Sequence, residues 1–117
     1  MITHPELVKA LVKPGEEIIR ELTAHEANLL HMAVGIAGEA SGELLDAIKA
    51  RVIYRKPLDL DNVVEELGDL EFYMEGLRQE LNVTRQQCLD ANIKKLSKRY
   101  EGLKFSNQAA VERADKQ

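Results

Sequence analysis

Glu39 and Glu43 are four residues apart, and Glu66 and Asp69 are three apart, so each pair shares one face of a helix. Both pairs interrupt apolar stretches at positions where a surface helix sets core residues. Ionised carboxylates are costly to bury unless paired or bound to a metal. Four of them converging between helices form a site for a hard cation such as Mg2+, which prefers oxygen ligands. Asp46 extends the first set by another three residues. The 22 residues between Glu43 and Glu66 hold a helix end, a connection and a helix start. That is enough chain for two helices to pack antiparallel and bring the four groups together.

The elements that must position these acids are delimited by turn signals. Thr3, with Pro5 close behind, caps a short helix running to about Lys13. Pro14-Gly15 breaks it, and Glu16 to Leu22 reads as a second short helix. Thr23 and Glu26 form a capping-box pattern at the head of a long helix, about Ala24 to Ala50. Leu29, Leu30, Val34, Ala37, Leu44 and Ile48 recur along it at helical spacings. Gly35, Gly38 and Gly42 form a stripe of small residues in the same helix, which reads as close helix packing or the wall of a pocket. Arg51 to Leu60, with β-branched residues and Pro57, reads as a loop or extended connection. Asp59 or Asp61 caps a helix from about Leu60 to Leu81, with Val63, Val64, Leu67, Leu70, Tyr73, Met74 and Leu77 as its apolar positions. Asn82 ends that helix. Thr84 with Gln87 opens another, which runs to about Tyr100 and is stopped by Gly102. A short helical piece is expected near Gln108 to Ala114.

The reading is an all-α bundle of about four main helices in one domain. Residues 1–22 form short N-terminal helices, 23–102 the helical core and 103–117 a tail. At 117 residues there is room for one modest core of Leu, Ile, Val and Ala. Sixteen basic against twenty acidic residues give a net charge of −4, which argues against nucleic-acid binding through a basic surface. Cys88 is the single cysteine, so an internal disulfide and a zinc cysteine cluster are excluded, and it is expected to be a buried apolar residue. No run approaches the roughly 18 apolar residues of a membrane span, and no signal-peptide pattern opens the chain, so a cytoplasmic location is expected.

The segments Leu29-Leu30-His31-Met32-Ala33-Val34-Gly35-Ile36-Ala37-Gly38-Glu39 and Gly42-Glu43-Leu44-Leu45-Asp46-Ala47-Ile48-Lys49 resemble the MazG-like nucleoside triphosphate pyrophosphohydrolases. So do Tyr54-Arg55-Lys56-Pro57-Leu58-Asp59, Glu65-Glu66-Leu67-Gly68-Asp69, Asn92-Ile93-Lys94-Lys95-Leu96 and Arg99-Tyr100. The resemblance covers roughly residues 29 to 106. It implies an all-α fold in which an E-x-x-E and a later E-x-x-D hold Mg2+, with Mn2+ as a substitute. The metal ligands are then Glu39, Glu43, Glu66 and Asp69, within a catalytic core spanning 23–102. Related sequences usually read Glu-Ala-Gly-Glu where this chain reads Glu39-Ala40-Ser41-Gly42-Glu43, so one residue is inserted. Two outcomes are open. A π-bulge absorbs the extra residue, or Glu39 is displaced and Asp46 or water takes its place.

The implied reaction is hydrolysis of a nucleoside triphosphate to the monophosphate and pyrophosphate, for nucleotide-pool control or removal of unwanted nucleotides. Glu39 or Glu43 is the candidate to orient or deprotonate the attacking water. Lys95 and Arg99, four apart, with Asn92 three before Lys95, form a stripe suited to phosphate and sugar, and Lys56 is a further phosphate candidate. Tyr54, Phe72 and Tyr73 are expected mainly in core packing. Family members are commonly dimers or tetramers, so a homo-oligomer with its pocket near a subunit contact is expected, and the segment 105–113 is a candidate to cover it. The competing reading is a non-catalytic nucleotide-binding or helical interaction protein derived from the same family. A di-iron bundle would need Glu-x-x-His on two helices, and His4, His25 and His31 supply none. The basic run Lys94 to Arg99 is too small to signal a DNA-binding helix.

Overall fold

Thr3, Thr23 and Thr84 open three helices in the same way. Each hydroxyl accepts from the backbone N–H three residues on, and the side chain there (Glu6, Glu26 or Gln87) accepts from the threonine N–H. These local signals set the boundaries in the computed structural model, which describes residues 1–103 and 107–113. The order is α1 (His4–Leu11), α2 (Gly15–Glu21), α3 (Ala24–Gly38), a π-helical turn (Glu39–Leu44), α4 (Leu45–Val52), α5 (Leu60–Leu81) and α6 (Arg85–Arg99). A 3-10 turn (Glu101–Leu103) and α7 (Asn107–Glu112) follow. Every regular element among the described residues is helical. Asp59 caps α5 by accepting from the Asn62 N–H at 3.1 Å. Asn82 ends α5 in the left-handed region at φ 56°. Gly102, at φ 71°, turns the chain after α6.

The expected long helix is one continuous run through α3, the π turn and α4, reaching Val52 rather than Ala50. It packs antiparallel on α5. His25 meets Glu80 at 2.8 Å, Met32 lies against Gly76, and Gly35 lies against the Tyr73 ring. The partner numbers fall as the first numbers rise, which is the signature of an antiparallel pair. Val63, Leu70, Tyr73, Met74 and Leu77 are half-buried on α5. Of the three stripe glycines only Gly35 sits at a close approach, where a Cβ would overlap the Tyr73 ring. A Cβ at Gly38 or Gly42 meets nothing within 4 Å, so the stripe as a whole is not a packing seam within the chain. Gly76 is the second close approach; a Cβ there would stand 2.5 Å from the Met32 sulfur.

The expected core is not closed by one chain. No hydrophobic side chain is buried, and Arg78, 7% exposed, is the only buried polar residue among those described. Leu30, Val34, Val64 and Leu67, expected in the core, are exposed, as are Tyr54 and Phe72. Cys88 is exposed rather than buried, because α6 packs on the 3-10 turn and α7 rather than extensively on the α3–α5 pair. The radius of gyration is 20.0 Å, where a compact chain of this length has about 13 Å. No helix among the described residues is long and apolar enough to cross a membrane.

Candidate metal centre

The π turn is the local device that builds the site. An α-helix closes hydrogen bonds four residues apart and a π turn five, so a π turn accommodates one added residue without breaking the helix. Ser41 lies within it, and its hydroxyl donates to the Ala37 carbonyl at 2.6 Å, satisfying a backbone acceptor beside the altered ladder. Of the two outcomes left open by the inserted residue, the chain adopts the π turn, and Glu39 stays on the face turned to α5.

There Glu39 meets Glu66 and Asp69. Each of the three offers a carboxylate oxygen within 4.8 Å of the others. Glu39 Oε1 and Glu66 Oε2 are shut off from solvent, and with both groups ionised no donor among the described residues reaches either. Two facing carboxylates cannot both keep their charge without a proton or a cation between them. The Glu66 carboxyl is accordingly pushed up to about 7 from its ordinary 4.5. The hydrogen bond it shares with Glu39 is the main cause, followed by loss of solvent and by the charges of Glu39 and Asp69. The donor set is all oxygen and all anionic, which suits Mg2+ or Mn2+ and disfavours soft metals.

One cleft includes two of these acids, and a second lies between α4, the connection after it and the start of α5. The first, of about 330 Å³, is lined by Glu39, Asp69, Phe72 and Tyr73. The two rings meet edge to face, with centroids 5.3 Å apart. The aromatic pair read from sequence as core filling is therefore a cleft wall, with Tyr73 also packed on Gly35. The other cleft, of about 510 Å³, is lined by Glu43, Asp46, Lys56, Asp59 and Asn62 among others. Arg55, in the left-handed region at φ 57°, folds the connection so that the Lys56 N–H donates to the Ala50 carbonyl at 3.0 Å. That turn places Lys56 on the same cleft as Glu43.

The four expected ligands thus divide. Glu39, Glu66 and Asp69 converge, while Glu43 lines the neighbouring cleft with Lys56. Glu43, beyond the first residues of the π turn, is not among the three clustered acids. Asn92, Lys95 and Arg99, on α6, line neither of these two clefts. Sequence reasoning missed Arg78, whose guanidinium lies against Glu75 at 3.0 Å and Glu71 at 3.7 Å. The acids three and seven residues before it were the available signal. Asn62 was also missed, and Asp59 was read only as a cap. No family model matches the chain, and comparison with curated proteins and with solved structures found no match.

Proposed function

We propose that this chain is a MazG-like, Mg2+-dependent nucleoside triphosphate pyrophosphohydrolase, acting in the cytoplasm as a homodimer or homotetramer. The observation that carries the reading is the convergence of Glu39, Glu66 and Asp69, two of them with solvent-shielded oxygens that, with both groups ionised, no donor among the described residues reaches. These three residues hold the cation, with Mn2+ able to replace Mg2+. Bound there, the cation neutralises the triphosphate charge and polarises the phosphate at which water attacks.

The chain's own groups supply the rest. Glu43 stands outside the ligand cluster and is the carboxylate that takes the proton of the attacking water. The new bond forms between that water oxygen and the α-phosphorus. The α–β anhydride bond breaks, and pyrophosphate leaves with its electron pair. Lys56, across the same cleft from Glu43, offsets charge on the phosphates. Phe72 and Tyr73 offer ring surface on which a base can stack.

The test is incubation of the purified protein with ribo- and deoxyribonucleoside triphosphates, with and without Mg2+, and identification of the products. Metal-dependent release of monophosphate and pyrophosphate is expected. Orthophosphate release would place attack at another phosphate and overturn the mechanism. Nucleotide binding without turnover would assign the chain to the non-catalytic reading.

A further inference from the structure

We infer that Gly35 is a positioning residue of the cleft over the acidic cluster: by leaving room on α3 for the Tyr73 ring, it keeps that cleft open as a slot for the flat base of a nucleotide. The inference rests on the nucleotide reading of the preceding section. It names the residue that lets the site favour a nucleotide over a bare inorganic polyphosphate. Gly35 and Glu39 are four apart on one helical run, and Asp69 and Tyr73 are four apart on α5. Ring and acids therefore occupy successive turns of the antiparallel pair, about 6 Å apart along its axis. Tyr73 lines the cleft of about 330 Å³ with Glu39, Asp69 and Phe72. Gly35 is not part of that lining and acts through the ring.

The other glycines of the hairpin separate this role from helix packing. A Cβ at Gly35 would overlap Cγ, Cδ1 and Cε1 of the Tyr73 ring. At Gly76 the neighbour is Met32, a flexible thioether that lines neither cleft. At Gly38, Gly42 and Gly68 a Cβ meets nothing within 4 Å. Only at Gly35 does the missing methyl make room for a group that faces the cleft. Phe72, 67% exposed, meets Tyr73 with 86° between the ring planes, so the two rings form one wall. A methyl at position 35 has two ways out. Either the Tyr73 ring swings into the cleft and fills the slot, or α3 and α5 part and spread Glu39 from Glu66 and Asp69. The His25–Glu80 and Met32–Gly76 contacts hold the two helices together beyond Gly35, whereas the ring has open volume on its cleft side. The ring is what moves, so the slot is lost and the metal ligands stay.

The test measures binding by calorimetry in the presence of Mg2+. The probes are deoxynucleoside triphosphates with methylene in place of the oxygen between the α- and β-phosphorus, and inorganic tripolyphosphate. The ratio of the two affinities, compared across variants, isolates the base, which an aromatic ring holds about 5–150-fold more tightly. Gly35→Ala should lower the ratio at least about 5-fold and keep the affinity for Mg2+. Gly38→Ala, the same change on the same helix, should leave the ratio unaltered. Tyr73→Leu should lower it as far, Tyr73→Phe should preserve it, and Gly35→Ala added to Tyr73→Leu should lower it no further. Should Gly35→Ala fail to fold, the double variant, relieved of the ring, should fold and match Tyr73→Leu; its failure to fold overturns the proposal. An unchanged ratio in Gly35→Ala or Tyr73→Leu overturns it too, as does an equal loss of Mg2+, tripolyphosphate and nucleotide binding in Gly35→Ala. Wild type that binds neither probe with Mg2+ rejects the nucleotide reading and the slot with it. Base-dependent binding without turnover of natural triphosphates rejects the hydrolase reading alone.

Discussion

A Glu66 carboxyl that titrates at about 7 keeps, in the folded chain, a proton that the unfolded chain releases near its ordinary 4.5. Between these values the folded state binds more protons, so stability falls as pH rises through the window. In metal-free buffer the melting temperature should therefore decline from about pH 4.5 to above pH 7, and Glu66→Gln should flatten that decline. A cation competes with the same proton, so Mg2+ affinity, followed by calorimetry, should strengthen through pH 7. Glu26, Glu75 and Glu80 act in the opposite sense: hydrogen bonds from Thr23, from Gln79 and Arg78, and from His25 and Asn28 hold them below 4.5. Their contribution is present above 4.5 and is lost in acid, a window separate from that of Glu66. On the proposed function, Glu66→Ala or Asp69→Ala should lower kcat/KM by at least about 10–100-fold, since that much is lost on removing a mere neighbour of a metal ligand. Lys56→Ala should raise KM more than it lowers kcat.

Among the elements, α3 and α5 approach closely at two glycines and leave others open, and this separates substitutions that look alike in sequence. Gly35→Ala drives a methyl into the Tyr73 ring and should cost about 1–3 kcal/mol in chemical denaturation. Gly38→Ala meets no neighbouring atom and should stabilise by up to about 1 kcal/mol through helix propensity. Deleting Ser41 should convert the π turn to α-helix and rotate α4 by about 100° relative to α3. Circular dichroism should show the helix intact while, on the proposed function, activity falls, because the cleft lined by Glu43 and Lys56 is turned relative to Glu39. Helix boundaries were legible because Thr23 with Glu26, Thr84 with Gln87, and Asn82 are signals contained within a few residues. The antiparallel hairpin was legible from the chain length between Glu43 and Glu66. The Glu39–Glu43 spacing, one residue longer than in the resembled pattern, left a π turn as one of two outcomes, and the chain has that turn. Apolar periodicity, however, says that Val64 or Leu67 needs cover and not which surface supplies it. For the same reason Cys88 and Phe72 were expected inside and lie outside. The division of Glu43 from the other acids depends on the pitch of the π turn, which residue spacing alone does not encode.

At the scale of the molecule, the site and the surface belong to one design: the hairpin that gathers the acids is also the one that lacks a covering layer. The cluster therefore sits on an element whose own stability depends on what else packs against it. On the proposed oligomer and metal site, dilution should lower the melting temperature and the metal affinity together. The three capping boxes add a temporal consequence. Thr3, Thr23 and Thr84 each specify a helix start through contacts three residues away, so these starts require no partner. Local helix formation takes about a microsecond, whereas subunit assembly takes milliseconds to minutes and depends on concentration. Refolding followed by far-ultraviolet circular dichroism should thus show an early phase indifferent to dilution. A later phase, followed by light scattering as copies of the proposed oligomer associate, should have a rate that rises with protein concentration. If the proposed oligomer forms, a newly made chain presents ordered helices with open apolar seams between helix formation and encounter, and how long it stays vulnerable to proteolysis is set by how often it meets its own kind.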